Sequence, residues 1–333
     1  MKTIAFLSAA FAALGQTPPA ADPGKGAPVA LIRFQVAPQQ GKPVTDLRPE
    51  DIEIREDGAP RKVVVLEGGT GNQRDIPIEI SVLFDCNRMA LSSGTLNPRV
   101  FHQGLLDEFP NASLAVYGFA PGLNRLAALT RDQAQLGKAL DAPLLVHPMS
   151  TFLMDHISRV MIDAASSPGA AVRMVVAVST GRTDQGSASD TAQQQRYQRA
   201  VGIAEQTNVA AYPVVLIAPL ASQDSTPSPA PLTKGRTGGP QTSSSDMSNS
   251  TILRSVGNFA NLGAATGGQK LEVLSGGNML PTVLKWIADG IRSEYVAGFE
   301  VSASGDKKRH KIEVAMRKKD RGRITTGALN LVY

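Results

Sequence analysis

Cysteine is almost missing from this chain: Cys86 is the single thiol in 333 residues. No internal disulfide can form, so stability must come from an apolar core even in an oxidising compartment. Histidine is scarce as well, and His102, His147, His156 and His310 fall into no metal-binding or catalytic motif. Beyond the first residues no run reaches about 18 uninterrupted apolar positions, so no membrane-spanning helix is legible. The net charge of +5 and isoelectric point of about 9.3 describe a diffuse excess, which is not a nucleic-acid-binding signature. No glycine-rich phosphate cradle follows a strand, and Gly68-Gly69-Thr70-Gly71 reads as a linker.

What is present describes a soluble globular chain. Hydrophobic residues make up 42% and charged residues 19%, enough apolar material for a core, and the length suits roughly two domains. The opening MKTIAFLSAAFAALG, with Lys2 ahead of an apolar run, reads as a secretory signal peptide (residues 1–16). The expected location is therefore secreted or periplasmic. Residues 17–27 form a Pro, Ala and Gly linker, and 28–66 a β segment with strands near Val29–Val36, Ile52–Glu56 and Arg61–Leu66. Asp57-Gly58 is the hairpin turn between the last two, and Asp51, Glu56 and Asp57 read as turn formers and strand-edge charges.

The centre of the chain is Ile76–Met89, IPIEISVLFDCNRM. Its apolar half is that of a central strand covered on both faces, and it stops at Asp85, where open α/β sheets bind ligands. Helical spacing over 96–109, strands at 113–119 and 123–129, a helix from Leu153, a strand at 172–178, a polar helix near 190–207 and a strand at 210–217 follow. That alternation predicts an α/β fold, a doubly wound and mostly parallel sheet, over residues 76–293. Residues 221–250, rich in Ser, Thr, Pro and Gly, are expected to be a disordered insertion, with order resuming at Ile252. The last helix covers 280–292, and residues 294–333 form a β tail expected to join 28–66 in a β-sandwich-like module.

A strand ending in Asp-x-Ser-x-Ser marks the von Willebrand factor A domain, and Asp85-Cys86-Asn87-Arg88-Met89 resembles that ending with both serines replaced. The stretch PVTDLRPEDIEIREDGAPRKV and the ending around Tyr295-Val296-Ala297-Gly298-Phe299 resemble the acidobacterial, secreted von Willebrand A-related proteins. The resemblance covers nearly the whole mature chain. It implies a Rossmann-like fold, protein binding or adhesion, and a magnesium ion held by oxygen ligands from three loops. Carried over by position, Asp85 is the first ligand, Asn87 offers a carbonyl in place of a hydroxyl, and Thr151 supplies the second loop. Met89 offers only a thioether, too soft for magnesium, and Thr180 stands where a third-loop Asp belongs. Arg88, Thr180 and Asp184 complete the binding face, with Asp184 out of register as a replacement carboxylate. Without an ion, Asp85 is expected to be satisfied by loop amides and Arg88.

The resemblance, with these replacements, therefore implies a degenerate metal site, no required cofactor, and a binding module that catalyses nothing. Its partner is an unidentified protein or cell-surface polymer, without nucleic acid and without a membrane span. Two other readings stay open. Cys86 can be a nucleophile if a base such as His147 or His156 approaches it, although a buried structural thiol fits better. The basic stretch Lys307-Lys308-Arg309-His310-Lys311 with Arg317-Lys318-Lys319 can bind an anionic glycan or surface, although a solvated strand edge explains it.

Overall fold

The computed structural model describes residues 29–37, 44–69, 75–86, 98–119, 122–141, 152–168, 171–181, 190–217, 244–269, 271–274, 280–301, 308–318, 321–325 and 329–332. The signal-peptide and linker readings (1–16 and 17–27) lie outside the described residues. So do Asn87, Arg88, Met89, His147, Thr151, Asp184, Lys307, Lys319 and residues 218–243.

The central sheet grows from β6 (Ile78–Asp85), whose last six residues are all buried. Parallel neighbours are β7 (Ser113–Phe119) on one side and β9 (Val172–Ser179) on the other. Beyond β9 lie β10 (Ala210–Ile217) and β11 (Leu271–Leu274), both parallel, while β8 (Leu123–Thr130) closes the far edge antiparallel to β7. The sheet is thus a mixed, mostly parallel α/β sheet of six strands.

Strand alternation sends successive side chains into two different cores. Ile80, Val82 and Phe84 of β6, with Met174, Val176 and Val178 of β9, face α1 (Pro98–Glu108) and the last helix, α6 (Leu280–Ser293). Leu83, Val175 and Ala177 face the opposite layer. There, α3 (Leu153–Ala165) contributes Leu153, Ile157, Val160 and Met161; α4 (Asp190–Thr207) contributes Ala200 and Ala204; α5 (Ser244–Ala265) contributes Phe259 and Leu262. A shorter helix, α2 (Gln133–Asp141), follows the antiparallel edge strand.

The remaining strands form two layers from opposite ends of the chain. One sheet orders β1 (Val29–Phe34), β12 (Tyr295–Glu300) and β5 (Val63–Gly68), all antiparallel. The other orders β15 (Leu329–Val332), β13 (Arg309–Met316), β3 (Ile52–Glu56) and β4 (Ala59–Arg61). Short strands β2 (Val36–Ala37) and β14 (Arg323–Ile324) pair beside them. Ile32, Phe34, Ile52, Ile54, Ala297, Phe299 and Ile312 fill the space between the layers, and Phe34 stacks on Tyr295 at 5.6 Å. Val296, on the other face of β12, belongs to the α/β core. The three-stranded sheet is therefore a shared wall, and the two modules meet through it.

A buried polar lock fastens that wall. Glu294, 1% exposed, accepts from the Tyr212 hydroxyl at one oxygen and sits 3.4 Å from the Arg33 guanidinium at the other. Arg33 also reaches the Asn208 carbonyl, and the Asn208 side-chain amide donates to the Leu31 carbonyl at 2.6 Å. Asn208 holds φ +53, a left-handed conformation that asparagine tolerates better than most residues.

Two sequence expectations are corrected, and one strand is added. Residues 61–66 are not one returning strand: β4 pairs with β3 over Ala59–Arg61, and after Lys62 the chain crosses to the other sheet as β5. A sandwich corner of this kind is made by a strand that changes layers, which local alternation does not reveal. Of the 221–250 segment, residues 244–250 are helical, because α5 begins at Ser244 rather than near Ile252. Its first turns are polar, so no apolar period announces them. β11 has no counterpart in the sequence reading; four residues are too few for a periodic signal, and its pairing with β10 defines it.

Candidate functional site

The sheet brings Asp85 and Ser179 together at its carboxyl end. β6 and β9 run parallel with Phe84 opposite Val178, so the next residues emerge side by side. The Ser179 hydroxyl donates to Asp85 Oδ2 at 2.6 Å and accepts from the Gly181 amide at 3.0 Å. Asp85 is 3% exposed and Thr180 4%. The hydroxyl of the neighbouring strand holds one of the Asp85 oxygens.

Gly181 turns the chain away at φ +68, and a side chain there would press on Phe259 at 3.0 Å and on the Val256 backbone at 3.2 Å. Ser255 of α5 closes the same turn by donating to the Gly181 carbonyl at 3.0 Å. On the other rim, α3 starts after Phe152, which holds φ +52 and is capped by the Arg196 guanidinium 4.1 Å above its ring. Arg196 is also 3.5 Å from Asp155 in the first turn of α3. Between these groups the described residues leave a cavity of about 20 Å³ lined by Leu153, Met154 and Gln193 among others, room for roughly one water molecule. A larger cleft of about 440 Å³ lies at the opposite end of the sheet, beside Ile76, Phe109 and Ile291.

Cys86 follows Asp85 and is buried at 4% exposure, its amide donating to the Phe119 carbonyl at 2.8 Å. Burial, reinforced by the Asp85 charge, pushes the thiol up to about 11, so it stays protonated at neutral pH. His156 is buried with its ring 5.1 Å from that of Phe119. Alkylation of the folded protein by iodoacetamide at about pH 7.5 should therefore be slow. The rate should climb as pH approaches the thiol's raised value, and unfolding in guanidinium should release full reactivity; rapid labelling of folded protein near neutral pH would contradict this environment.

Of the six residues singled out at this face, the structure places two, Asp85 and Thr180; Asn87, Arg88, Thr151 and Asp184 lie outside the described residues. The described donors are one carboxylate, already bound to a hydroxyl, and the hydroxyls of Ser179 and Thr180. Magnesium usually keeps several waters and is held through one or two carboxylates. Ser255 and Arg196 are missed by sequence reasoning, because nothing in a helix sequence marks which residue meets a distant strand end. Ser179 is legible only as the end of a buried strand.

Within and beside the basic C-terminal stretch, three described cations have acidic partners. Arg309 pairs with Glu205 at 3.0 Å, Lys311 with Glu313 at 2.6 Å, and Arg321 with Asp46 and Asp51 at 2.6 and 3.0 Å. Arg317 donates through Nε to the Ile52 carbonyl.

No family model matches the chain, and no curated protein gives a significant match. Solved structures similar to it include BatB from Bacteroides thetaiotaomicron, at 12% identity over 64% of this chain and 97% of that one, with a TM-score of 0.43. The vWF domain of the type V pili tip protein Mfa5 from Porphyromonas gingivalis gives 11% identity over 66% of this chain and 96% of that one, TM-score 0.42. The pilus adhesin SpaC from Lactobacillus rhamnosus GG gives 9% identity over 86% of this chain and 48% of that one, TM-score 0.44. This chain thus spans about half the length of that adhesin. Among the described residues no helix is long and apolar enough to cross a membrane.

Proposed function

We propose that this chain is a von Willebrand A-type binding module, exported to the periplasm or beyond, that holds a protein or surface polymer at the carboxyl end of its sheet without catalysis and without a metal. One observation carries the reading: Asp85, the one anionic ligand retained from the metal motif, is buried and bonded to the Ser179 hydroxyl at 2.6 Å. A carboxylate held by a neutral donor is stable without an ion, and Thr180 adds no second charge. Cys86 supports the non-enzymatic reading, since its thiol stays protonated at neutral pH. The hairpin is a poorer surface for a polymer, because Arg309 and Lys311 already have acidic partners.

The test compares the natural protein with the variant Asn87→Ser, Met89→Ser and Thr180→Asp. Calorimetric titration with magnesium and manganese should show no micromolar binding in the natural protein and measurable binding in the variant. A partner recovered from envelope extract should stay bound to the natural protein in EDTA. Micromolar magnesium affinity in the natural protein, or release of the partner by chelator, would overturn the metal-free reading.

A further inference from the structure

The hairpin turn that the sequence presents as structural carries a second set of ligand-bearing groups. Glu56 ends β3 with its side chain 1% exposed, Asp57 occupies the turn at φ +50, and His310 stands on β13 beside them. His310 Nδ1 is 2.9 Å from Asp57 Oδ2 and 3.1 Å from Glu56 Oε1. One ligand atom from each of the three residues falls within 4.8 Å of the others. Two ligand atoms bonded at about 2.1 Å to one ion, at angles between a right angle and the tetrahedral value, stand roughly 3.0 to 3.4 Å apart. The two nitrogen–oxygen separations are already close to that spacing.

Each carboxylate is also aimed by a partner of its own. The Lys311 amide donates to Asp57 Oδ1 at 2.9 Å, which turns Oδ2 toward the imidazole. Arg61 binds Glu56 Oε2 at 2.5 Å and leaves Oε1 facing His310. Outer contacts of this kind, here one hydrogen bond and one ion pair, orient ligands in metal sites. Asp57 is 54% exposed, so an ion has a path from solvent and a water can complete its shell. One imidazole nitrogen and two carboxylate oxygens, without a thiolate, suit a borderline first-row dication better than magnesium or copper(I).

We propose that Glu56, Asp57 and His310 form a divalent-metal site of the zinc class in the β-sandwich, separate from the Asp85 crevice. Arg61 tempers it: its charge offsets part of the carboxylate pair, so the affinity is modest and removal of that charge should tighten binding.

Chelator-treated full-length protein is titrated calorimetrically with zinc, with magnesium as the hard-ion control. One zinc per chain is expected, with a rise in melting temperature and no magnesium heat at this site. Asp57→Asn keeps an acceptor for the Lys311 amide and tolerates the left-handed backbone, yet it removes a charged ligand. It should weaken zinc binding by roughly tenfold to a hundredfold or more. His310→Gln should abolish binding, Arg61→Met should tighten it, and Asp85→Ala should bind zinc to the same extent, which separates this site from the crevice. Absence of zinc binding in the natural protein would show that the three side chains are an ion pair alone. Zinc binding that survives both Asp57→Asn and His310→Gln at natural affinity would place the ion elsewhere. Either result overturns the proposal, and near-ultraviolet circular dichroism on each variant confirms that the fold under test is intact.

Discussion

Glu294→Ala should cost about 3–5 kcal/mol of stability, the usual range when one member of a buried ion pair is removed. The substitution leaves Arg33, 7% exposed, as an uncompensated cation and takes the acceptor from the Tyr212 hydroxyl. Both losses fall on the wall shared by the two modules, between β1, β10 and the start of β12. Melting should drop by on the order of ten degrees for a chain of this size. The sandwich and the α/β layer should then unfold in two separable steps in guanidinium. Glu294→Gln keeps one acceptor and should lose less, and Arg33→Met combined with Glu294→Gln should recover part of the deficit because no buried charge remains. A loss below about 1 kcal/mol in Glu294→Ala would show that water reaches Arg33 and that the lock contributes little.

Gly268→Ala should have the next largest effect, and it links the fold to the candidate site. A methyl group on Gly268 would sit 1.9 Å from the Ala211 carbonyl oxygen and 2.8 Å from its carbon, both backbone atoms of the buried strand β10. Neither can move aside cheaply, so the end of α5 must retreat. That movement breaks a docking contact in which the Ala211 amide donates to the Thr266 hydroxyl at 2.9 Å. The expected cost is about 3 kcal/mol, the upper range for overpacking. Because α5 also carries Ser255 and Phe259 onto Gly181, partner binding at the crevice should weaken as well. Gly257 supplies the control. It lies in the same helix, and a methyl group there would meet nothing within 4 Å, so Gly257→Ala should stabilise the protein by roughly 0.5–1 kcal/mol. Denaturant melts of the two variants check both signs; equal effects would mean that helix propensity, not the close approach to β10, decides.

Much of this architecture can be read from the chain itself, for a local reason. The alternation in Ile78–Asp85 and Val172–Ser179 reports burial on both faces, and each strand carries that report in neighbouring residues. Asp57-Gly58 states its own turn, with Asp57 at φ +50 and Gly58 at φ +83. The end of β6 at Asp85, and hence the position of a carboxylate at the rim of the sheet, follows from the same periodicity. The change of layer after Lys62 does not, because β4 and β5 look alike until β12 claims one of them.

The partners of the site residues were settled by closure of the chain. Ser179 reaches Asp85 across 94 positions, and Ser255 reaches Gly181 across 74. His310 finds Asp57 across 253 positions, since β13 pairs with β3 only after the whole α/β domain has intervened. Sequence alone determined the central strands, most of their flanking helices and where one carboxylate would emerge, because hydrophobic spacing and turn chemistry act over a few residues. Only the tertiary structure decided that Asp85 is bonded to a serine, that Glu294 fastens the two modules, and that a hairpin turn gathers three ligand-bearing side chains. Those contacts depend on sheet register and layer packing, which are satisfied jointly by segments far apart in the chain.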